Sequence, residues 1–300
     1  MTDEIVLRTE KLRKHFGSLH AVEEVNLEVR RGSVFGFLGP NGAGKTTTIG
    51  MILSLIHPTA GKVVVLGETV TPSHNRVLNR VGSMAGAPAL IPYLSARDNL
   101  RLAARLNGGL KAGRIDEVLG TVGLKDAADR AAGQFSTGMK QRLGLAIAML
   151  KKPELLILDE PTNGMDPAGM LEVRNLLRKL ADGGMTVFLS SHLLHEIEQV
   201  CDEVVILNRG KVVRQGKVSE LLGRDQSVVK VRVPSPAEAA TLLLTLPGVS
   251  EVKPNGSYVT VTGVSGETIV RCLTGHGIIP GEVTSGSPDL EQVFLHLTNS

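Results

Sequence analysis

The sequence predicts an α/β protein with a mostly parallel sheet, followed by a small α+β domain. Three apolar runs of strand length, at residues 155–158, 186–189 and 203–207, alternate with segments of helical periodicity. Strands that are apolar along their whole length are typical of parallel sheets covered by helices on both faces. A fourth such run, at 34–38, is followed by a glycine-rich loop and a helical segment from 46 to about 55.

Further elements are predicted around this sheet. Short runs of β-type residues predict strands at 5–7, 25–29 and 63–66. From about 95 to 125 the pattern becomes helical, and Ser95 with Asp98 forms a capping-box pattern at its start. We therefore expect a helical subdomain over about 90–150, inside a first domain of residues 1–222.

The character of the chain changes at the polar stretch 224–227, and we expect a second domain over residues 226–300. An Asn255-Gly256 pair between two strand-like runs indicates a β-hairpin. The predicted elements are a strand at 228–233, a helix at 236–246, strands at 251–253 and 257–262, a helix at 266–276, an extended segment at 278–284 and a helix at 288–298 capped by Ser287. The order βαββαβ predicts a ferredoxin-like domain.

Composition excludes several classes of function. Aromatic residues make up 3% of the 300 residues and Trp is absent, so we expect no base-stacking platform and no nucleic-acid partner. Charges nearly balance, at 33 basic against 30 acidic residues. The N-terminus lacks the apolar stretch of a signal peptide, and no segment approaches the roughly 20 apolar residues of a membrane-spanning helix. We expect that the chain cannot form a membrane path alone.

The cysteines and most histidines are expected to be structural or solvated. Cys201 and Cys272 lie far apart and outside any metal-ligand spacing, so they predict no zinc site. The same structural or solvated role is expected for seven histidines, namely His15, His20, His57, His74, His195, His276 and His296.

A glycine-rich loop carries the first chemical motif. It matches the pattern GxxxxGK(S/T) and consists of Gly39, Pro40, Asn41, Gly42, Ala43, Gly44, Lys45 and Thr46. Glycines let backbone N–H groups point at phosphate oxygens, and the following helix adds a positive dipole end. Lys45 would reach the β- and γ-phosphates, and the Thr46 hydroxyl would ligate Mg²⁺. The loop thus predicts a nucleoside triphosphate, as in kinases, GTPases and motors.

Candidate catalytic groups stand at the ends of two predicted strands. Asp159 and Glu160 end one apolar run, and His192 comes shortly after another. A parallel sheet presents its active site at the carboxyl ends of its strands, so all three are expected near the phosphate loop. Asp159 would hold Mg²⁺, and Glu160 would orient or deprotonate the attacking water. His192 would contact the γ-phosphate or orient that water.

A third motif brings in a family. The segment 135–142, FSTGMKQR, resembles the LSGGQ signature of ATP-binding-cassette (ABC) transporters at Ser136 and Gly138. It departs from that signature at Phe135, Thr137 and Met139. Ser136 is also a suitable cap for a helix reaching about residue 151, with N–H groups free to face an anion. With the motifs above in the family's order, residues 4–220 resemble the nucleotide-binding domain of these transporters.

The resemblance implies further site residues and partners. Phe16 would stack on the adenine of ATP, and Thr47 would contact the nucleotide. Ser136 and Gly138 would face the γ-phosphate bound to a partner cassette, and Asp166 would cross that interface. Two copies would sandwich two ATP molecules head to tail. They would sit on the cytoplasmic side of the cell membrane and drive a separate membrane-spanning permease subunit.

The resemblance also implies a direction of transport and shows one departure. The C-terminal portion and the FSTGMKQ variant are similar to prokaryotic drug, antibiotic and sodium exporter cassettes, which implies export. Gly86 stands where the family has a Gln or Glu that helps to ligate Mg²⁺ and senses the membrane subunit. Water or Ser83 could substitute, or metal affinity and coupling could be weakened.

Two other functions share the phosphate loop. A soluble cassette ATPase acting on ribosomes or DNA usually fuses two cassettes or carries a long coiled-coil insertion, and this chain has one phosphate loop and no such insertion. A P-loop kinase would leave His192 and the signature segment unexplained. We therefore expect an ATP-hydrolysing transport subunit whose substrate is set by the membrane subunit.

Overall fold

The computed structural model describes residues 4–106, 108–109, 112–221 and 228–286. By its internal contacts the chain divides into two compact units, Met1–Gly216 and Lys217–Ser300. The boundary expected between 222 and 226 falls outside the described residues, as does the helix expected at 288–298.

The first unit combines strands and helices in the alternation that the sequence predicts. Its strands are β1 Ile5–Phe16, β2 Leu19–Arg30, β3 Val34–Leu38, β4 Ala60–Val65, β5 Glu68–Val70, β6 Val81–Ala85, β7 Leu155–Asp159, β8 Thr186–Ser191, β9 Glu203–Asn208 and β10 Lys211–Lys217. Its helices are α1 Lys45–Ile52, α2 Ala96–Leu106, α3 Arg114–Thr121, α4 Thr137–Ala148, α5 Pro167–Asp182 and α6 Leu194–Val200.

A six-stranded sheet in the order β10-β9-β3-β8-β7-β6 positions the site. β3 pairs in parallel with β8 and β9, and β7 pairs in parallel with β8 and β6. Every residue of β3, β7 and β8 is buried, as expected for strands covered on both faces. The carboxyl ends of these strands therefore lie along one edge of the sheet, and Asp159 is the register partner of Ser190.

A second sheet, antiparallel and in the order β2-β1-β4-β5, differs from the sequence prediction. β1 and β2 each run for 12 residues, whereas short strands were expected at 5–7 and 25–29. The pairing of β1 with β2 contains four register shifts, and Lys11 and Glu24 adopt positive φ values of 46° and 49°. Each shift interrupts the two-residue alternation by which a strand is identified in a sequence.

The helices α2, α3 and α4 follow β6 and precede β7 in the chain, and they contact one another. Ser95 accepts a hydrogen bond from the backbone N–H of Asp98 at 3.0 Å and donates to its carboxylate at 2.7 Å, which confirms the predicted cap. Among the helices that the structure describes, none combines the length and the hydrophobicity needed to cross a lipid bilayer.

The second unit follows the predicted order. Its elements are α7 Val218–Leu221, β11 Val228–Arg232, α8 Pro236–Leu243, β12 Glu251–Asn255, β13 Tyr258–Thr262, α9 Gly266–Gly275 and β14 Glu282–Gly286. The antiparallel sheet has the order β12-β13-β11-β14. The hairpin turn is shifted by one residue from the prediction. Asn255 pairs with Tyr258, so Gly256 and Ser257 form the loop, and Gly256 supplies the positive φ of 57°.

Candidate functional site

The phosphate loop joins β3 to α1 and is shaped by its glycines. Gly44 precedes α1 with a φ of 101°, and a Cβ atom there would lie 2.5 Å from the carbonyl oxygen of Ala21. Any side chain at this position would therefore clash with backbone. Lys45 is 95% buried, and its ammonium group donates to the carbonyl oxygens of Gly39 at 2.7 Å and Pro40 at 3.3 Å. These bonds hold the charge at the loop.

The carboxylates of Asp159, the last residue of β7, and Glu160, the residue after it, meet this loop. Asp159 accepts hydrogen bonds from the hydroxyls of Thr46 at 2.8 Å and Ser190 at 2.5 Å. The Oε1 atom of Glu160 lies 3.3 Å from the Lys45 ammonium and 3.3 Å from Nδ1 of His192. Glu160 has a φ of 49°, a sparsely populated conformation for a non-glycine residue that concentrates at functional sites. Glu160 thus lies between Lys45 and His192, while Asp159 contacts the neighbouring Thr46.

The segment after β8 is held by a buried carboxylate. The Ser191 hydroxyl donates to Glu196 at 2.8 Å and accepts from the backbone N–H of Leu193 at 2.9 Å. Glu196 is 95% buried, so this pair anchors the turn that presents His192. His192 itself is about one third exposed.

Two cavities adjoin at the phosphate loop and share Asn41, Thr46 and Glu160. The first, of about 470 Å³, is lined by Asn41, Thr46, Gly86, Ala87, Pro88, Thr137, Lys140, Gln141, Asp159, Glu160 and Asn163. The second, of about 440 Å³, is lined by Phe16, Leu19, His20, Ala21, Asn41, Gly42, Gly44, Lys45, Thr46, Thr47, Glu160 and Arg209. Phe16 and the phosphate loop therefore line one cavity, as stacking on a loop-bound nucleotide requires.

The residues implied by the signature lie at exposed helix starts. Ser136 caps α4 and accepts a hydrogen bond from the backbone N–H of Met139 at 3.2 Å, as predicted. Asp166 is the exposed N-cap residue of α5 and makes no side-chain cap bond. Neither these two residues nor Gly138 is among the residues lining the two cavities, although Thr137 is. One chain therefore does not bring them to its own phosphate loop.

Gly86 follows β6 directly and lines the first cavity. Its φ is 81°, and a Cβ atom there would meet no atom within 4 Å. Ser83 lies within β6 and is not among the residues that line this cavity. The structure thus places Gly86 beside the site, with open space where a longer side chain would extend.

Three residues of the site escaped the sequence analysis. Ser190 donates to Asp159 and accepts from the backbone N–H of Glu160 at 3.0 Å, so it orients both carboxylates. Asn163 donates to Oε2 of Glu160 at 3.2 Å, and Arg209 lines the second cavity. Ser190 could have been noticed because it lies near the end of β8, the strand beside β7. The sequence does not give the register between these two strands.

The donor set fits Mg²⁺. Thr46 and Asp159 offer a hydroxyl and a carboxylate oxygen 2.8 Å apart, and both residues line the first cavity. Hard oxygen donors are the ligands that Mg²⁺ prefers, usually one or two from the protein with water and phosphate completing the shell.

Comparison with known proteins agrees with this geometry. The ABC transporter family model matches residues 22–163. The chain is 44% identical over 239 residues to the bacitracin transport ATP-binding protein BcrA of Bacillus licheniformis, covering 79% of this chain and 78% of BcrA. It is 38% identical over 294 residues to the daunorubicin resistance ATP-binding protein DrrA3 of Streptomyces coeruleorubidus, covering 95% and 93%.

A solved structure shares the cassette fold. The dimeric post-hydrolysis state of the ATP-binding cassette MJ0796, bound to ADP and Pi, has a TM-score of 0.63 and 26% identity, covering 71% of this chain and 98% of that one. Together with the converging phosphate loop and carboxylates, these similarities show that the chain belongs to the ABC transporter family, as an ATP-binding subunit that hydrolyses ATP to drive transport.

Proposed function

We propose that this chain powers the export of antibiotic-like or drug-like molecules through a separate membrane-spanning subunit, from the cytoplasmic face of the cell membrane. The observation that carries the proposal is the similarity to BcrA and DrrA3, whose names refer to bacitracin transport and daunorubicin resistance. The similarity to DrrA3 extends over 95% of the chain and therefore includes both units.

ATP binding is proposed to begin at the phosphate loop. Lys45 exchanges its bonds to the carbonyls of Gly39 and Pro40 for the β- and γ-phosphates, because phosphate oxygens carry more negative charge. Phe16, which is half exposed in the second cavity, stacks on the adenine. Thr46 and Asp159 would hold Mg²⁺, which when bound neutralises charge developing on the phosphates.

Hydrolysis is assigned to Glu160, with His192 beside it. Asn163 and the Ser190–backbone bond fix the Glu160 carboxylate at the cavity, where it orients the attacking water or accepts its proton. His192 lies 3.3 Å from the same carboxylate and is proposed to contact the γ-phosphate or the water. Lys45 faces Glu160 at 3.3 Å, and transfer of Lys45 to the phosphates leaves the carboxylate available.

The remaining predicted site residues are proposed to act across a homodimer. The start of α4 is exposed at Ser136, with its dipole end available to an anion, and Asp166 is exposed at the start of α5. A second copy placed head to tail would bring these groups to the γ-phosphate of the first. This arrangement explains why one chain leaves them outside its own cavities.

The test is isolation of the tagged chain from mild-detergent extracts of its host. We expect a polytopic membrane protein to be retained in stoichiometric amount, and addition of candidate antibiotics to change the ATPase rate of the complex. Retention of ribosomes or nucleic acid, with no membrane protein, would instead support a soluble ATPase that acts on ribosomes or DNA. A Glu160→Gln variant, which should accumulate the ATP-bound dimer, serves to strengthen the complex.

A further inference from the structure

We propose that His15, His20 and Glu23 form a binding site for a transition-metal dication such as Zn²⁺, at the hairpin of β1 and β2. Among the described residues they form a group of three whose ligand atoms all lie within 4.8 Å of one another. The site is distinct from Thr46 and Asp159. It assigns a function to two histidines that the sequence analysis treated as structural or solvated.

The three side chains already share one oxygen atom. The Oε1 atom of Glu23 lies 2.8 Å from Nε2 of His15 and 2.5 Å from Nδ1 of His20. The two imidazole rings are stacked, with centroids 3.9 Å apart and planes within 11°. One carboxylate oxygen thus already lies beside a ring nitrogen of each histidine.

The hairpin builds this cluster by its register. His15 and His20 are cross-strand partners next to the Gly17-Ser18 turn, which places their side chains on one face. Glu23 lies three residues beyond His20, so in a regular strand it would face the opposite side. The register moves from His15↔His20 to Lys14↔Val22, which makes Ala21 an extra residue, and this bulge turns Glu23 to the histidine face.

Two imidazole nitrogens and one carboxylate oxygen favour Zn²⁺ over Mg²⁺. Three protein ligands also leave one position of a tetrahedral shell for water. With Zn–N and Zn–O bonds near 2.1 Å, tetrahedral donors lie about 3.4 Å apart. The distance from the Glu23 oxygen to each histidine nitrogen must therefore increase by less than about 1 Å. The His20 side chain is 59% exposed and can make this adjustment.

The site also contacts the nucleotide-binding machinery. His20 lines the cavity that contains Lys45 and Phe16. The bulged Ala21 carbonyl is the atom that packs against Gly44 of the phosphate loop, and the Glu23 N–H donates to Gly210 at 2.7 Å. A metal that fixes the bulge therefore changes the wall of the second cavity, and we infer that it alters nucleotide affinity.

The site is tested by calorimetric titration of the full chain with Zn²⁺ in the absence of nucleotide. We expect one site per chain, and His15→Gln, His20→Gln and Glu23→Gln each to weaken binding at least about tenfold. His74→Gln is the matched control, because His74 also faces a glutamate, Glu68, at 3.5 Å but belongs to no such group of three within the described part of the chain. Titration with Mg²⁺ should show no binding at this site.

Equal affinity in wild type and His20→Gln, with folding confirmed by circular dichroism, would overturn the proposal, as would an equal loss in His74→Gln. The link to the nucleotide is measured with a fluorescent ATP analogue. Zn²⁺ should change its affinity at least about fivefold in wild type and not in His20→Gln. An unchanged affinity in wild type would overturn the link to the nucleotide while leaving the metal site measured independently.

Discussion

The two edges of the six-stranded sheet carry similar charged residues and use them differently. At the amino edge, Glu154 stands directly before β7 and pairs with Arg80 at 2.6 Å and Arg31 at 3.1 Å, residues that precede β6 and β3. At the carboxyl edge, Glu160 stands directly after β7 and faces Lys45 and His192 at 3.3 Å each. Two glutamates with different surroundings, Glu154 and Glu160, thus stand at opposite ends of β7.

The amino-edge charges compensate one another. Arg31 also binds Glu4 at 2.8 Å, and Asp202 before β9 pairs with Arg178 at 2.7 Å while accepting from the backbone N–H of Val34 at 2.8 Å. The hydrogen bond from Arg80, with a further one from Arg31, lowers the pKa of Glu154 below its usual 4.5. These pairs tie strand ends together across the sheet.

The carboxyl-edge charges lie beside two cavities. The buried Lys45 ammonium is bonded to carbonyl oxygens of its own loop and faces Glu160, and Glu160 adopts a strained backbone conformation and lines both cavities. Backbone strain of this kind is tolerated where a ligand completes the arrangement. The two glutamates therefore differ in their access to a cavity, not in the number of their partners.

The largest effect is expected from Lys45→Ala. Removing the buried ammonium deletes the charge that we propose to face the β- and γ-phosphates, and charge-assisted bonds of about 3 kcal/mol correspond to about a hundredfold loss of ATP affinity. Nucleotide titration measures this loss. Lys62→Ala, which removes a surface ammonium paired with Glu10, should bind ATP as wild type does. Unchanged affinity in Lys45→Ala would contradict the assigned loop.

Glu160→Gln compares directly with Glu154→Gln at the other end of β7. Glu160→Gln should bind ATP but hydrolyse it at least about a hundredfold more slowly, because it loses the carboxylate that we propose to orient the water. It should also accumulate as an ATP-bound dimer on size-exclusion chromatography. Turnover near the wild-type rate would show that another group activates the water.

Ser190→Ala tests the positioning of the two carboxylates. Its hydroxyl is fully buried and bridges Asp159 and the Glu160 backbone, so we expect about a tenfold slower hydrolysis and a stability loss of about 1–3 kcal/mol. Ser190→Thr keeps the hydroxyl and should restore the rate. If Ser190→Ala and Ser190→Thr both hydrolyse ATP at the wild-type rate, the bridge has no role in positioning the carboxylates.

Glu154→Gln should leave hydrolysis unchanged and lower stability slightly. Its side chain is one third exposed, so we expect about 0.5–1 kcal/mol, or a few degrees in Tm. Because the folded-state pKa is lowered, the carboxylate stabilises the fold above about pH 4.5 and loses this effect as pH falls through the lowered pKa. Thermal unfolding of both proteins from pH 7 to 3 should show the difference shrinking; a constant difference would contradict the ion-pair role.

The smallest effect is expected at Gly86. The side chain of Gly86→Gln would enter open space at the first cavity, where an amide oxygen could replace a water on Mg²⁺. Any residue there is strained at a φ of 81°, so Gly86→Ala is the reference variant with the same strain. Relative to Gly86→Ala, Gly86→Gln should need less Mg²⁺ for half-maximal hydrolysis. Equal Mg²⁺ dependence would place the missing ligand elsewhere.

Features that depend on neighbouring residues could be predicted from the sequence. The phosphate loop, the acids at the end of β7 and the Ser136 cap were all predicted, because each depends on residues adjacent in the chain and on a strand or helix with a clear apolar pattern. The order of elements in the second unit was predicted for the same reason.

Which separate strands meet, and in what register, could be learned only from the folded protein. Ser190 became part of the site through its pairing with Asp159, 31 residues away. The full length of β1 and β2, and the bulge that joins Glu23 to His15 and His20, follow from cross-strand pairing. A one-residue shift moves side chains to the opposite face without changing composition or local propensity, so such contacts cannot be obtained from periodicity along the chain.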